Sequence, residues 1–137
     1  MATRSELSKK NKYWVEKHRY YELKHFCMQY PIWKKIYLEL DGLVPARTYD
    51  SIRVSIGNPG DPTSRLAEDR LHYLDKIQLV EQTAFAADCD LADYILNGVT
   101  EGLSYDMLKI KYDIPCGKDM YYDRYRRFFW LLDNTRE

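Results

Sequence analysis

The 137-residue chain lacks net charge: 21 Lys and Arg are matched by 21 Asp and Glu. Binding to a polyanion by bulk charge is therefore excluded, and any such binding has to come from local asymmetry. Also missing is any apolar run near the roughly 18 residues that span a bilayer. The start of the chain, Met1 to Lys12, has no apolar core of a signal peptide. The expectation is a cytoplasmic protein with no membrane partner. Cysteine is scarce and odd in number. Cys27, Cys89 and Cys116 are too far apart for a metal or redox pair, which fits free thiols in a reducing compartment. No Gly-rich phosphate loop and no paired catalytic carboxylates stand out, so the chain reads as a non-enzyme without a cofactor.

What is present is aromatic. Aromatics make up 15% of the chain, with 13 Tyr among them, against 45% hydrophobic and 31% charged residues. That composition suits one folded domain with room for a helical arm. Tyrosine serves thin cores and interfaces alike, because it buries a ring and keeps a polar tip.

The periodicity is helical almost throughout, and the fold class expected is all-α, an N-terminal helical hairpin followed by a helical domain. A first helix is expected from about Ser8 to Tyr30, with Trp14, His18, Tyr21, His25 and Met28 on one stripe and Leu23, Phe26 and Cys27 widening it. Pro31 breaks the ladder and opens a second helix carrying Ile32, Trp33, Ile36, Tyr37 and Leu40. Gly42 would close it in a left-handed cap. Ile52, Val54 and Ile56 alternate as a strand would, but with no partner strand in view an extended connector is expected. The run Asn58-Pro59-Gly60-Asp61-Pro62 is turn chemistry. It divides residues 1–60, hairpin and connector, from a helical domain over 61–137. Asp61 would cap a third helix with its stripe on Leu66, Tyr73, Leu74, Ile77, Val80, Ala84 and Ala87. A fourth runs from Leu91 to Val99 and ends near Gly102, Ser104 caps a fifth, and a long last helix starts at Lys118.

Charge is split along this order. From Asp61 to Glu101 the acids Glu68, Asp69, Asp75, Glu81, Asp88, Asp90 and Asp93 outnumber Arg65, Arg70 and Lys76. Both ends are basic. The order of short helix, tight turn and longer basic helix over residues 104–133 is that of a helix-turn-helix, whose second helix enters the major groove of DNA. Gly117 would relax the backbone just before that helix. On the last helix Tyr121, Tyr125, Phe128 and Leu132 form a core stripe. Lys118 and Tyr122 are then expected at or near base edges, and Arg124, Arg126 and Arg127 on phosphate, with Lys109 and Lys111 adding charge from the helix before. The bland alternative is a solvated amphipathic helix.

The pattern Val99-x-x-Gly102-Leu103-Ser104-Tyr105-x-x-Leu108, then Ile114, then Tyr121-Tyr122-x-x-Tyr125-Arg126-Arg127-Phe128-Phe129 resembles the C-terminal half of the RinA and ArpU group of phage late-gene transcription regulators. That half is itself similar to the promoter-reading domain of bacterial sigma factors. The resemblance covers roughly Leu66 to Asp133. It implies promoter DNA binding and a phage or prophage origin. The Ile-Pro-Cys-Gly turn is about one residue longer than in sigma-like domains.

Other chemistry is thinner. His18, Glu22 and His25 share a helix face and supply half of a di-iron signature, but no second copy follows, so no metal is expected. The acidic third helix is a solvated face or a contact for RNA polymerase. Trp14, Tyr20, Tyr21, Phe26, Trp33 and Tyr37 are either core or a homodimer interface. Two rival functions are a phage packaging component such as a small terminase subunit, and a protein-interaction module that does not touch DNA.

Overall fold

A computed structural model describes residues 11–43 and 62–136. All regular structure among them is α-helical: α1 (Lys17–Met28), α2 (Tyr30–Leu43), α3 (Pro62–Ala87), α4 (Ala92–Glu101), α5 (Tyr105–Tyr112) and α6 (Lys118–Arg136). The alternating Ile52–Ile56 run, the turn at 58–61 and the Asp61 cap lie outside the described residues. No helix among the described residues is long and apolar enough to cross a membrane.

The chain divides into two compact units. One holds α1, the end of α3 from Leu79, and α4 to α6; the other holds α2 and the rest of α3 to Gln78. The expected N-terminal hairpin falls across that division.

In the first unit α1 packs on α4 and α6, and α4 to α6 pack on one another. Helix α1 begins at Lys17, later than its apolar pattern suggested, because the Glu16 carboxylate accepts the N–H groups of His18 and Arg19 and so caps there. It buries Tyr20, Leu23, Phe26 and Cys27. The expected stripe is overturned: His18, His25 and Met28 are exposed. The more apolar residues three apart win the core, and imidazoles stay in water where their polar atoms need no partner. Tyr20 and Phe26, considered for a dimer interface, are spent inside this unit.

Helix α6 supplies the other half of that core with Tyr121, Tyr122, Tyr125, Phe128, Phe129 and Leu132. Tyr125, Phe128 and Leu132 are core residues, as their spacing predicts. Phe129 meets Tyr20 edge-on at 5.1 Å and Tyr125 at 4.9 Å, an arrangement that aromatic quadrupoles favour. The Tyr20 and Tyr125 hydroxyls share a buried hydrogen bond of 2.6 Å. At the rim Arg19 Nε donates to Asp133 at 2.6 Å, and Arg136 lies 4.0 Å from the centre of the Phe26 ring.

In the second unit, Arg70 pairs with Asp41 at 2.6 Å, donates to the Tyr37 hydroxyl at 3.0 Å and stacks over that ring. Gly42 does not form the expected left-handed cap. Helix α2 runs through it to Leu43, and the positive backbone angles among the described residues are at Gly102 and Asp113.

Gly102 does close α4 as expected, at φ 68°, with Leu103 N–H reaching back to the Gly98 carbonyl. Gly98 itself permits a close approach. A Cβ there would overlap the Tyr121 hydroxyl and stand 3.2 Å from Leu108 Cδ1. Tyr121 is fully buried and hemmed in by the rings of Tyr105, Tyr122 and Tyr125, so it has little room to yield. We expect Gly98→Ala to lower stability by about 1–3 kcal/mol through overpacking, against the gain in helix propensity from Ala. Thermal melting checks this, and an unchanged or raised midpoint would contradict it.

Candidate nucleic-acid interface

Helix α5 is short and firmly bounded. Ser104, in extended backbone, accepts the Met107 N–H at 3.3 Å, the cap that the sequence indicates. Asp113 ends the helix at φ 53°, its N–H bonded to the Lys109 carbonyl. The left-handed residue of this turn is thus Asp113, while Gly117 has ordinary backbone and open space around it. An aspartate tolerates that region better than most side chains, so the freedom expected of Gly117 is not used.

The joint between α5 and α6 is built from Leu108, Ile114 and Tyr121, all fully buried. Ile114 holds the place in the turn that its apolar character predicts. Tyr105 pins both ends of the turn: its hydroxyl donates to the Cys116 carbonyl at 2.7 Å, and its N–H donates to the Tyr122 hydroxyl at 3.1 Å. Lys109 Nζ donates to the Ile114 carbonyl at 3.2 Å and pairs with Asp113 at 3.4 Å. The first turn of α6 then stands clear, with Gly117, Lys118, Asp119 and Met120 exposed.

The seven residues expected at DNA are not alike. Lys118 is exposed, Arg127 is half-buried, and neither has an ion-pair partner among the described residues. Tyr122 is only 7% exposed. Its hydroxyl serves the start of α5, so its expected place at a base edge is corrected to one in the core. Lys111 is held by Glu101 at 2.9 Å, and Tyr112 donates to the same carboxylate. The hydrogen bond to Glu101 raises the Lys111 pKa above the ordinary lysine value. Arg124 is shared between Asp88, at 2.8 Å, and Asp123. Arg126 has its Nε buried without a hydrogen-bond partner.

Sequence reading missed two roles among the acids. Asp88 and Glu101 count in the sequence only towards the acidic stretch 61–101, yet each fixes a basic side chain, Arg124 of α6 and Lys111 of α5. Their sequence separations of 36 and 10 residues from Arg124 and Lys111 leave no local signal. The outward face of α5 was missed too. Ile110 is 79% exposed, beside the half-exposed Met107, and the only hint is that neither lies on the Tyr105-Leu108-Tyr112 stripe. Among the described residues no group of three metal-ligating side chains converges.

Comparison of the chain with family models, with curated proteins and with solved structures finds no match.

Burial works to raise the pKa of Asp88. The Arg124 hydrogen bond and the N–H groups of Leu91 and Asp90 outweigh it and hold the carboxyl below the usual aspartate value. A depressed carboxyl adds stability that is present above its unfolded pKa and lost as pH falls through its folded pKa. We therefore expect the wild-type melting midpoint to fall more steeply than that of Asp88→Asn on acidification from about pH 5 to below about pH 3.9, the unfolded value. Parallel curves would contradict this account of Asp88.

Proposed function

We propose that α5, its turn and α6 form a helix-turn-helix that binds duplex DNA, and that the protein is a transcription regulator of phage or prophage origin. The observation that carries this reading is the outward first turn of α6, with exposed Lys118, on a joint locked by buried Leu108, Ile114 and Tyr121. A recognition helix needs that combination of a rigid base and a projecting N-terminal turn. The resemblance of Gly102 to Leu108 and Tyr121 to Phe129 to the RinA and ArpU group supports the promoter as target. The cations assigned to phosphate in this reading are Lys118, Arg127 and Lys109, with Arg126 at the flank. RNA polymerase is a partner that the same resemblance suggests, and a homodimer would match a two-fold site.

A specific observation favours a second reading, a protein-interaction module. Ile110, Met107 and Met120 are exposed apolar side chains close to the same turn, and Asp106, Asp113, Asp119 and Asp123 dilute the positive charge there. Salt decides between the two, because phosphate contacts release counterions and apolar contacts do not. The double variant Lys118→Ala, Arg127→Ala should weaken binding to all duplexes alike and flatten the salt dependence by about two units. Binding with an unaltered slope would argue against these two contacts. Absence of any salt-dependent binding by the wild type would favour the interaction module.

A further inference from the structure

Arg124 was expected on phosphate, and its surroundings give it different work. We infer that Arg124 is a positioning residue that sets how α6 is turned on the helices beneath it, and that it does not bind DNA itself; this rests on the DNA reading above. Its Nε donates to Asp88 Oδ2 at 2.8 Å and its Nη1 to Asp123. The other Asp88 oxygen, Oδ1, accepts the N–H groups of Asp90 at 2.9 Å and Leu91 at 3.2 Å. One carboxylate thus shapes the turn between α3 and α4 and grips α6. The planar guanidinium suits such a link, because it can direct separate N–H groups at two carboxylates in fixed geometry.

Exchange with a phosphate is unfavourable here. The Asp88 side chain is 13% exposed and that of Arg124 29%. Swinging the Arg124 guanidinium out to DNA would give up two carboxylates and leave Asp88 largely desolvated without its counter-charge. Lys118 and Arg127 face no such cost. Rotational setting matters for a groove-reading helix, since a shift of one residue turns the contact face by more than a quarter of a turn.

The test uses the full chain and a duplex selected by the wild-type protein from fragmented genomic DNA. Arg124→Gln and Asp88→Asn should each weaken binding about tenfold and leave the salt slope unchanged. The double variant should be no weaker than the worse single, because both changes break one link. Asn at position 88 keeps an oxygen for the Asp90 and Leu91 N–H groups, so the fold is spared. If Arg124 were a phosphate ligand, Arg124→Gln would flatten the slope by about one unit and Asp88→Asn, by releasing the guanidinium, would strengthen binding. Either result overturns the inference. If no duplex is selected at all, the DNA reading has failed, and the link is judged by melting alone. Sub-additive losses of midpoint in the same cycle support it, and additive losses overturn it.

Discussion

Tyr20 and Tyr125 stand 105 residues apart, yet their hydroxyls meet at 2.6 Å inside the first unit. Each ring buries apolar surface, and each hydroxyl would cost free energy in that interior without a partner. By pairing, they satisfy one another and fix α1 against α6 in one register. Burial, with the neighbouring hydroxyls, pushes the Tyr125 phenol well above the ordinary tyrosine range. Phe129 and Tyr121 pack around it, and Tyr121 in turn rests on Gly98 and Leu108. The joint of α5 and α6 is thereby tied to α1 and α4 through a chain of rings.

Much of this was legible in the residues. The all-helical character, the Gly102 end of α4, the Ser104 cap and the buried Ile114 follow from local chemistry, and local chemistry is what a sequence displays. The α6 stripe was legible for the same reason, since Tyr125, Phe128 and Leu132 recur at helical spacing. What was not legible depends on partners distant in sequence. The face that α1 buries is chosen by α6, which prefers Tyr20 and Phe26 over the equally periodic His18 and His25. Tyr122 looked like a surface residue because nothing local shows that its hydroxyl meets the start of α5. Gly117 and Gly42 offered left-handed backbone, and the fold placed one such residue at Asp113 instead.

The zero net charge has a structural counterpart. Basic residues that seemed available, Lys111 and Arg124, are engaged by Glu101, Asp88 and Asp123. The candidate interface is therefore sparse in charge, and its affinity for DNA would rest on few phosphate contacts. Sparse charge lowers non-specific binding as well, and on the proposed reading it would shift the burden of recognition to the geometry of the first turn of α6.

That geometry can be read directly. Backbone amide shifts of the full-length protein should be followed while a duplex selected from genomic DNA is added at low and then moderate salt. The account predicts salt-sensitive changes centred on residues 117–127, with the buried face around Tyr20 and Phe129 little affected. Changes centred on Met107 and Ile110 that persist at moderate salt, or none along α6, would contradict it.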